Sequence, residues 1–242
     1  MVTLLPIDDL DTFVATRDAL HRVAEHVVAK ARYVDDGEIR LMAFAGGFST
    51  PTLGGGVRVR IEADEIVVDE SGGSRRASLT TIGTAAAFVG IEPGFPAQLY
   101  SPATTFDADE PLSVDRRSAE VLAAWYGFTA EVLAMFAAEI PEAHPSTQIL
   151  WPEHFDQAFY TEDADESRRA NYGASPGDAG HAEPYLYVGP WNAAPPSEFW
   201  NATTFNGAVL SLTALVGAQD PEVGALRFLR AGRLLLAPVR TR

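Results

Sequence analysis

The chain has 242 residues, 47% hydrophobic and 21% charged, the profile of an ordinary globular protein with enough length for a full core. It contains no cysteine and carries a formal net charge of -15, which excludes disulfides, thiolate metal sites and cysteine nucleophiles. The same charge argues against nucleic acid and anionic membranes as partners. The opening MVTLLPIDDLDTF has no basic segment and meets acid early, so the expectation is no secretory signal and a cytoplasmic location. No apolar run of about 20 residues stands out as a membrane span. The 18 basic residues include a single lysine, Lys30, as GC-rich bacterial codon usage produces.

In chain order, residues 8–32 read as an amphipathic helix, with Leu10, Phe13, Leu20, Ala24, Val27, Val28 and Ala31 on one face. His21 and Glu25 are four residues apart, but His26 is five from His21, about 140° round the helix. HExxH geometry is therefore absent, and the wheel places His21 at the rim of the apolar face and His26 toward solvent. Residues 38–45 read as a strand, followed by turn chemistry in GGFSTPTLGGG. Strands are expected at 57–61 and 66–69 around an acidic turn, then a turn at 71–74 and a short strand at 76–79. Arg75-Arg76-Ala77-Ser78 resembles a basic-directed kinase site, but the pattern is short and a strand edge explains it. A helix follows at 82–89.

Residues 92–114 are Pro-rich and read as a long surface connection between two halves, 1–91 and 115–242. The strongest helical seam covers 115–140, through Ala119, Leu122, Tyr126, Thr129, Leu133, Phe136 and Ile140, with Gly127 expected to kink or split it. Residues 147–160 read as a strand with Pro152 at a bend or edge. Residues 161–170 form a charged loop, 185–188 a strand, and 203–216 fit strand or helix equally. A last helix from Pro221 to about Leu236 has Asp220 as N-cap and Pro221 at its first position. The predicted fold is α+β: one unit built from two halves, each of helix plus antiparallel sheet. The faint likeness between GFSTPTLGGG and YGASPGDAG is better explained by chance than by duplication.

Gly173-Ala174-Ser175-Pro176-Gly177 matches the G-x-S-x-G nucleophile elbow, with Asp178 and His181 close behind. An elbow takes an oxyanion-hole N–H from the residue after the serine, and Pro176 has none. The stretch is instead a turn centred on Pro176-Gly177, of type II. The better candidate is WPEHFDQAFY, residues 151–160. As a strand, it puts Glu153, Phe155 and Phe159 on one face and His154 and Asp156 on the other. His154 and Asp156 then suit a metal or acid/base pair, joined by Asp178, His181 and Glu183 from the later loop. A His–Asp hydrogen bond that fixes the sheet is the simpler reading.

Aromatic residues crowd this region: Tyr160, Tyr172, Tyr185, Tyr187, Trp191, Phe199, Trp200 and Phe205. Interleaved with Asn and Gly, they suit a small-ligand pocket or an interface. The expected ligand-binding set is Trp151, Glu153, His154, Asp156, Asn171, Tyr172, Asp178, His181, Tyr185, Tyr187 and Trp191. No motif indicates a cofactor. Two alternatives stand beside binding of a small polar ligand: a metal-assisted or acid/base hydrolase using His154, Asp156 and His181, and a homo-oligomeric interaction protein.

LWPEHFDQAF, the Ser/Gly/Pro turn, Glu183-Pro184 before YLYVGPW, and GGFSTPTLGGG together resemble a broad bacterial family, frequent in actinobacteria, known only as a domain of unknown function. The family's phenylalanine–aspartate pair matches Phe155-Asp156. Its members often carry a His-Glu dipeptide before the glycine-rich turn, where this chain has Ala170-Asn171-Tyr172. The resemblance implies a relative and no activity.

Overall fold

A computed structural model describes residues 2–96 and 98–236; Ala97, inside the long connection, lies outside them. The chain begins with one continuous helical rod: α1 (Leu10–Val23), a π-helical segment (Ala24–Ala29) and α2 (Lys30–Asp36). Asp9 caps it by accepting from Thr12 N–H at 2.8 Å, and Gly37 ends it in the left-handed conformation at φ 80°, as glycine readily does. The π segment holds an extra residue per turn, so the simple wheel fails there. All six of its residues are buried, His26 included. The expected solvent-facing His26 is thus corrected, whereas His21 does sit half-buried at the rim. Leu10 is also corrected: it is exposed rather than in the core.

Two antiparallel meanders follow, each running strand by strand through five members. The first comprises β1 (Met42–Phe44), β2 (Gly47–Ser49), β3 (Arg58–Glu62), β4 (Glu65–Glu70) and β5 (Gly73–Ser78), and α3 (Ile82–Val89) comes after it. The stretch GGFST, expected as turn, contains β2. After the 92–114 connection comes α4 (Arg116–Glu139), then β6 (Ile149–Trp151), β7 (Asp156–Tyr160), β8 (Ala170–Ser175), β9 (Tyr185–Pro190) and β10 (Ala208–Ser211). Helices α5 (Leu212–Val216) and α6 (Pro221–Leu235) close the chain. The fold is α+β, with two helix-plus-antiparallel-sheet halves packed as one unit. Leu41 and Leu150 exchange backbone hydrogen bonds of 2.9 and 3.0 Å, so the first meander's β1 side meets the second's β6 side edge to edge. The two turns compared in the sequence occupy different places, one between β2 and β3 and the other between β8 and β9.

Helix α4 is the shared core element. It packs on α1, α6, β1, β2, β7 and β8, with Trp125, Tyr126, Phe128 and Phe136 essentially inaccessible. A side chain of this size, fully buried, contributes about 1.5–3 kcal/mol. By length and composition α4 is also apolar enough to cross a membrane, which the sequence reading passed over; here its apolar side chains fill the core. Gly127 does not split it, since α4 runs unbroken from Arg116 to Glu139. A Cβ there would come within 2.8 Å of the Ala45 backbone, so the glycine lets α4 approach the β1–β2 turn.

The 92–114 connection is fastened to the π segment. Glu25 accepts from Ala103 N–H at 2.9 Å, Thr104 N–H at 2.8 Å and Thr104 Oγ1 at 2.6 Å. His26 Nδ1 accepts from Phe95 N–H at 3.2 Å, which leaves the proton on Nε2 to donate to Thr104 Oγ1 at 3.0 Å. At the far side of the second sheet, Arg233 of α6 binds Asp163 through two 2.7 Å hydrogen bonds, both side chains being buried. On the outer edge of β10, the Asn201 side chain accepts from Val209 N–H at 2.8 Å and donates to Val209 O at 3.1 Å.

Candidate functional site

The segment 147–160 is not one strand. Trp151 pairs with Asp156, and Pro152–Phe155 form the turn of a hairpin closed by Phe155 N–H donating to Trp151 O at 2.7 Å. Proline within the run forces the break, since it cannot donate to a ladder. Phe155 takes φ +54°, a conformation costly for a bulky side chain. Its surroundings hold it there. The buried ring stacks on His21 at 5.0 Å and 5°, and stands edge-on to Phe48 and Tyr126. Tyr126 Oη donates to Phe155 O at 2.6 Å, and His21 Nε2 to Pro152 O at 2.8 Å.

Beyond the turn, strand alternation sorts the residues. Phe159 on β7 and Tyr172 on β8 face α4, where both rings pack against Phe136. The other face carries Trp151, Asp156 and Tyr160, with Asn171, Gly173 and Ser175 of β8 and Tyr185 and Tyr187 of β9. Tyr187 lies flat over Gly173: a Cβ on that glycine would sit 2.4 Å from Tyr187 Cζ. The ring thereby crosses β8 and donates its hydroxyl to Asp156 Oδ2 on β7. The corresponding face of the first sheet differs in kind. There Arg60 pairs with Asp69 at 2.8 Å and Arg76 with Glu65 at 2.9 Å, so charge is matched by charge.

Two adjoining recesses of about 650 and 640 Å³ open on the second sheet and share His154, Asp156 and Tyr187. The first runs toward Ser146, Ile149, Trp151, Glu153, Tyr160 and Asn171. The second runs toward Ser175, Asp178, Tyr185 and Phe205. Asp156 is 9% exposed, and among the described residues its Oδ1 has no hydrogen-bond partner; nor does the buried Oε2 of Glu153. Burial pushes the Asp156 carboxyl above its usual range, with the Tyr187 hydrogen bond pulling the other way. Burial also raises Tyr187 well above an ordinary phenol, and the neighbouring Asp156 charge adds to this. Tyr185 is raised by burial and by donating at 2.6 Å to Asp178 Oδ2.

Of the expected site residues, Trp151, Glu153, His154, Asp156, Asn171, Asp178, Tyr185 and Tyr187 line these recesses. Trp191 stands at the rim, half-exposed, its Nε1 donating to Asn171 Oδ1 at 2.9 Å and its ring 5.7 Å from Tyr160. Four expectations are corrected. Tyr172 is fully buried on the helix side, because β8 alternates it away from Asn171 and Gly173. His181 lines another recess, with Ile7, Asp8 and Leu10, because the loop turns after Asp178, whose Oδ1 accepts from the N–H groups of Gly180 and His181. His154, Asp156 and His181 therefore do not assemble as metal ligands; among the described residues no group of three such side chains is placed to hold an ion. Glu183 caps α5 instead, accepting from Thr213 Oγ1 at 2.6 Å. The expected His154–Asp156 hydrogen bond is replaced by the one from Tyr187.

Ser175 ends β8, buried, with its Oγ accepting from Gly177 N–H at 3.1 Å and Gly177 at φ +97°. It is a turn residue that also lines the second recess. Ser146, Thr147 and Ile149 were not foreseen; the period-two register between β6 and β7 is the signal that finds Ile149, which pairs with Ala158. Compared with protein-family models, curated proteins and solved structures, the chain matches none.

Proposed function

We propose that this protein binds a small polar ligand on the open face of its second sheet, in the double recess centred on Asp156 and Tyr187. One observation carries the reading: Asp156 Oδ1, on a side chain 9% exposed, has no partner in the wall both recesses share. A buried polar atom without a partner costs about 1–3 kcal/mol, and a ligand group reaching it would recover that cost. The aromatic walls supply apolar contact around a few polar groups, the usual make-up of a ligand site. A thermal-shift screen of sugars, amines, nucleosides and organic acids tests this. A ligand at 100 times its dissociation constant adds about 2.7 kcal/mol, and Trp151→Ala should abolish the shift. No stabilising compound, or equal stabilisation of the variant, would sink the proposal.

The acid/base alternative draws on the same carboxyl, whose raised affinity for protons suits proton transfer. Hydrolysis of ester or amide substrates, lost in Asp156→Asn and with a pH profile that moves in Tyr187→Phe, is its expected outcome. Unchanged turnover in Asp156→Asn would exclude it.

A further inference from the structure

We propose that the ligand of the double recess is a cation, an organic ammonium whose N–H donates to Asp156 Oδ1 while its apolar body lies among the rings of Tyr185, Tyr187 and Phe205. The inference rests on the ligand-binding reading above and names the chemistry of what is bound.

Three carboxylates, Glu153, Asp156 and Asp178, line the two recesses, and among the described residues no arginine or lysine lines either. His154 is the sole basic side chain in the walls, and it is exposed. The first sheet shows what this chain does with acidic groups on a solvated sheet face, where it sets arginines against them. At Asp156 no described arginine or lysine takes that part. The nearby third recess contains Arg17, but its guanidinium is committed to Asp18 at 2.8 Å and to Ala182 O at 3.1 Å. An anionic ligand would meet three like charges, and like charges at short range in a partly desolvated site repel strongly. Aromatic faces attract cations, most of all where water is thinned.

Hydrogen-bond capacity narrows the class further. Asp178 Oδ1 already accepts from two N–H groups and Oδ2 from Tyr185, and Asn171 Oδ1 accepts from Trp191. Asp156 Oδ2 accepts from Tyr187. On Asp156 the free capacity lies on one oxygen, Oδ1; Glu153 Oε2 is the other unpartnered carboxylate oxygen in these walls. A guanidinium binds a carboxylate best through both oxygens, and one of these is taken. A single ammonium donor fits the vacancy better.

The test titrates the full chain with 2-phenylethylammonium, its neutral counterpart 2-phenylethanol and its anionic counterpart 3-phenylpropanoate, reading affinity by calorimetry and location by NMR shifts at Trp151, Tyr185 and Tyr187. Methylammonium and putrescine extend the cation series. The expected result is ammonium binding about tenfold or more tighter than the alcohol, the effect of one charge-assisted hydrogen bond, with no detectable carboxylate binding. Asp156→Asn should bring the ammonium down to the alcohol's affinity and leave the alcohol unchanged. If that variant lacks the native circular dichroism spectrum, Asp178→Asn and Glu153→Gln carry the comparison, each lowering ammonium affinity alone. Equal affinity for ammonium and alcohol, or preference for the carboxylate, overturns the cation inference and leaves the site reading standing. Failure of every ammonium overturns it too; if the neutral and anionic probes also leave the recess signals unmoved, the site reading falls with it.

Discussion

Gly173→Ala is the most direct probe of how the site is built. The backbone of Gly173 lies in β8 without a left-handed φ, so alanine is conformationally acceptable there. The added Cβ would nevertheless fall 2.4 Å from Tyr187 Cζ and 2.5 Å from its Oη, about 1 Å short of ordinary contact. Those atoms are the far end of a side chain that can swing, but only by releasing Asp156. The loss is then a hydrogen bond to a buried carboxyl, about 1–3 kcal/mol, offset by about 0.4–1 kcal/mol from the reduced freedom of the unfolded chain. A net destabilisation of about 1–2 kcal/mol is expected by urea denaturation, seen as a lower midpoint at constant slope. In a Tyr187→Ala background the clash is absent, and the same substitution should be neutral or stabilising. If Gly173→Ala costs the same in both backgrounds, within about 0.5 kcal/mol, the account of Tyr187 lying across β8 to reach Asp156 is wrong.

Asp163→Ala should cost about 3–5 kcal/mol, because it leaves the Arg233 guanidinium, 6% exposed, without its carboxylate; a chemical-denaturation loss under 1 kcal/mol would contradict this. The pH dependence of stability should carry two opposed signatures. Asp156 binds its proton more tightly folded than unfolded, so its contribution is fully present below the unfolded pKa of about 3.9 and is lost as pH rises through the folded value. Asp156→Asn should therefore gain stability relative to wild type as pH rises above about 4, and a difference independent of pH would refute it. His26 is held neutral by burial, and protonating Nδ1 would set a new N–H against that of Phe95. Its folded pKa lies below the unfolded value of about 6.5, so it costs stability as pH falls through that range. His26→Gln should flatten the acid limb of the stability curve, and an unaltered limb would count against the assignment.

Where local chemistry and periodicity agreed, the elements were legible. Helix α3 and the start of α6, with Asp220 and Pro221, fall where capping rules place them, and the seam of α4 runs through the core as its spacing requires. Periodicity misled where one residue altered the count. The π segment turned His26 inward, and no single-sequence signal marks that insertion. Strand β8 was hidden because Gly173 and Ser175-Pro176-Gly177 read as turn, although the glycine makes room for a ring directly opposite it on β9. The aromatic and acidic crowding from Trp151 to Tyr187 marks the stretch that supplies most of the lining of the two recesses. Its internal pairing was not legible, because the Asp156–Tyr187 contact depends on the register of three strands and on the turn that Pro152 imposes.

A sheet that ends in open backbone groups is a template for the next molecule, and this one has two outer ends. At β5 the defence is electrostatic, with Arg75 and Arg76 projecting from the strand. At β10 it is a molecular imitation: the Asn201 carboxamide presents one acceptor and one donor to Val209, as a neighbouring peptide group would. The position where a foreign strand would first register is already occupied from within the chain. Growth of the sheet by strand addition is thereby hindered at that end.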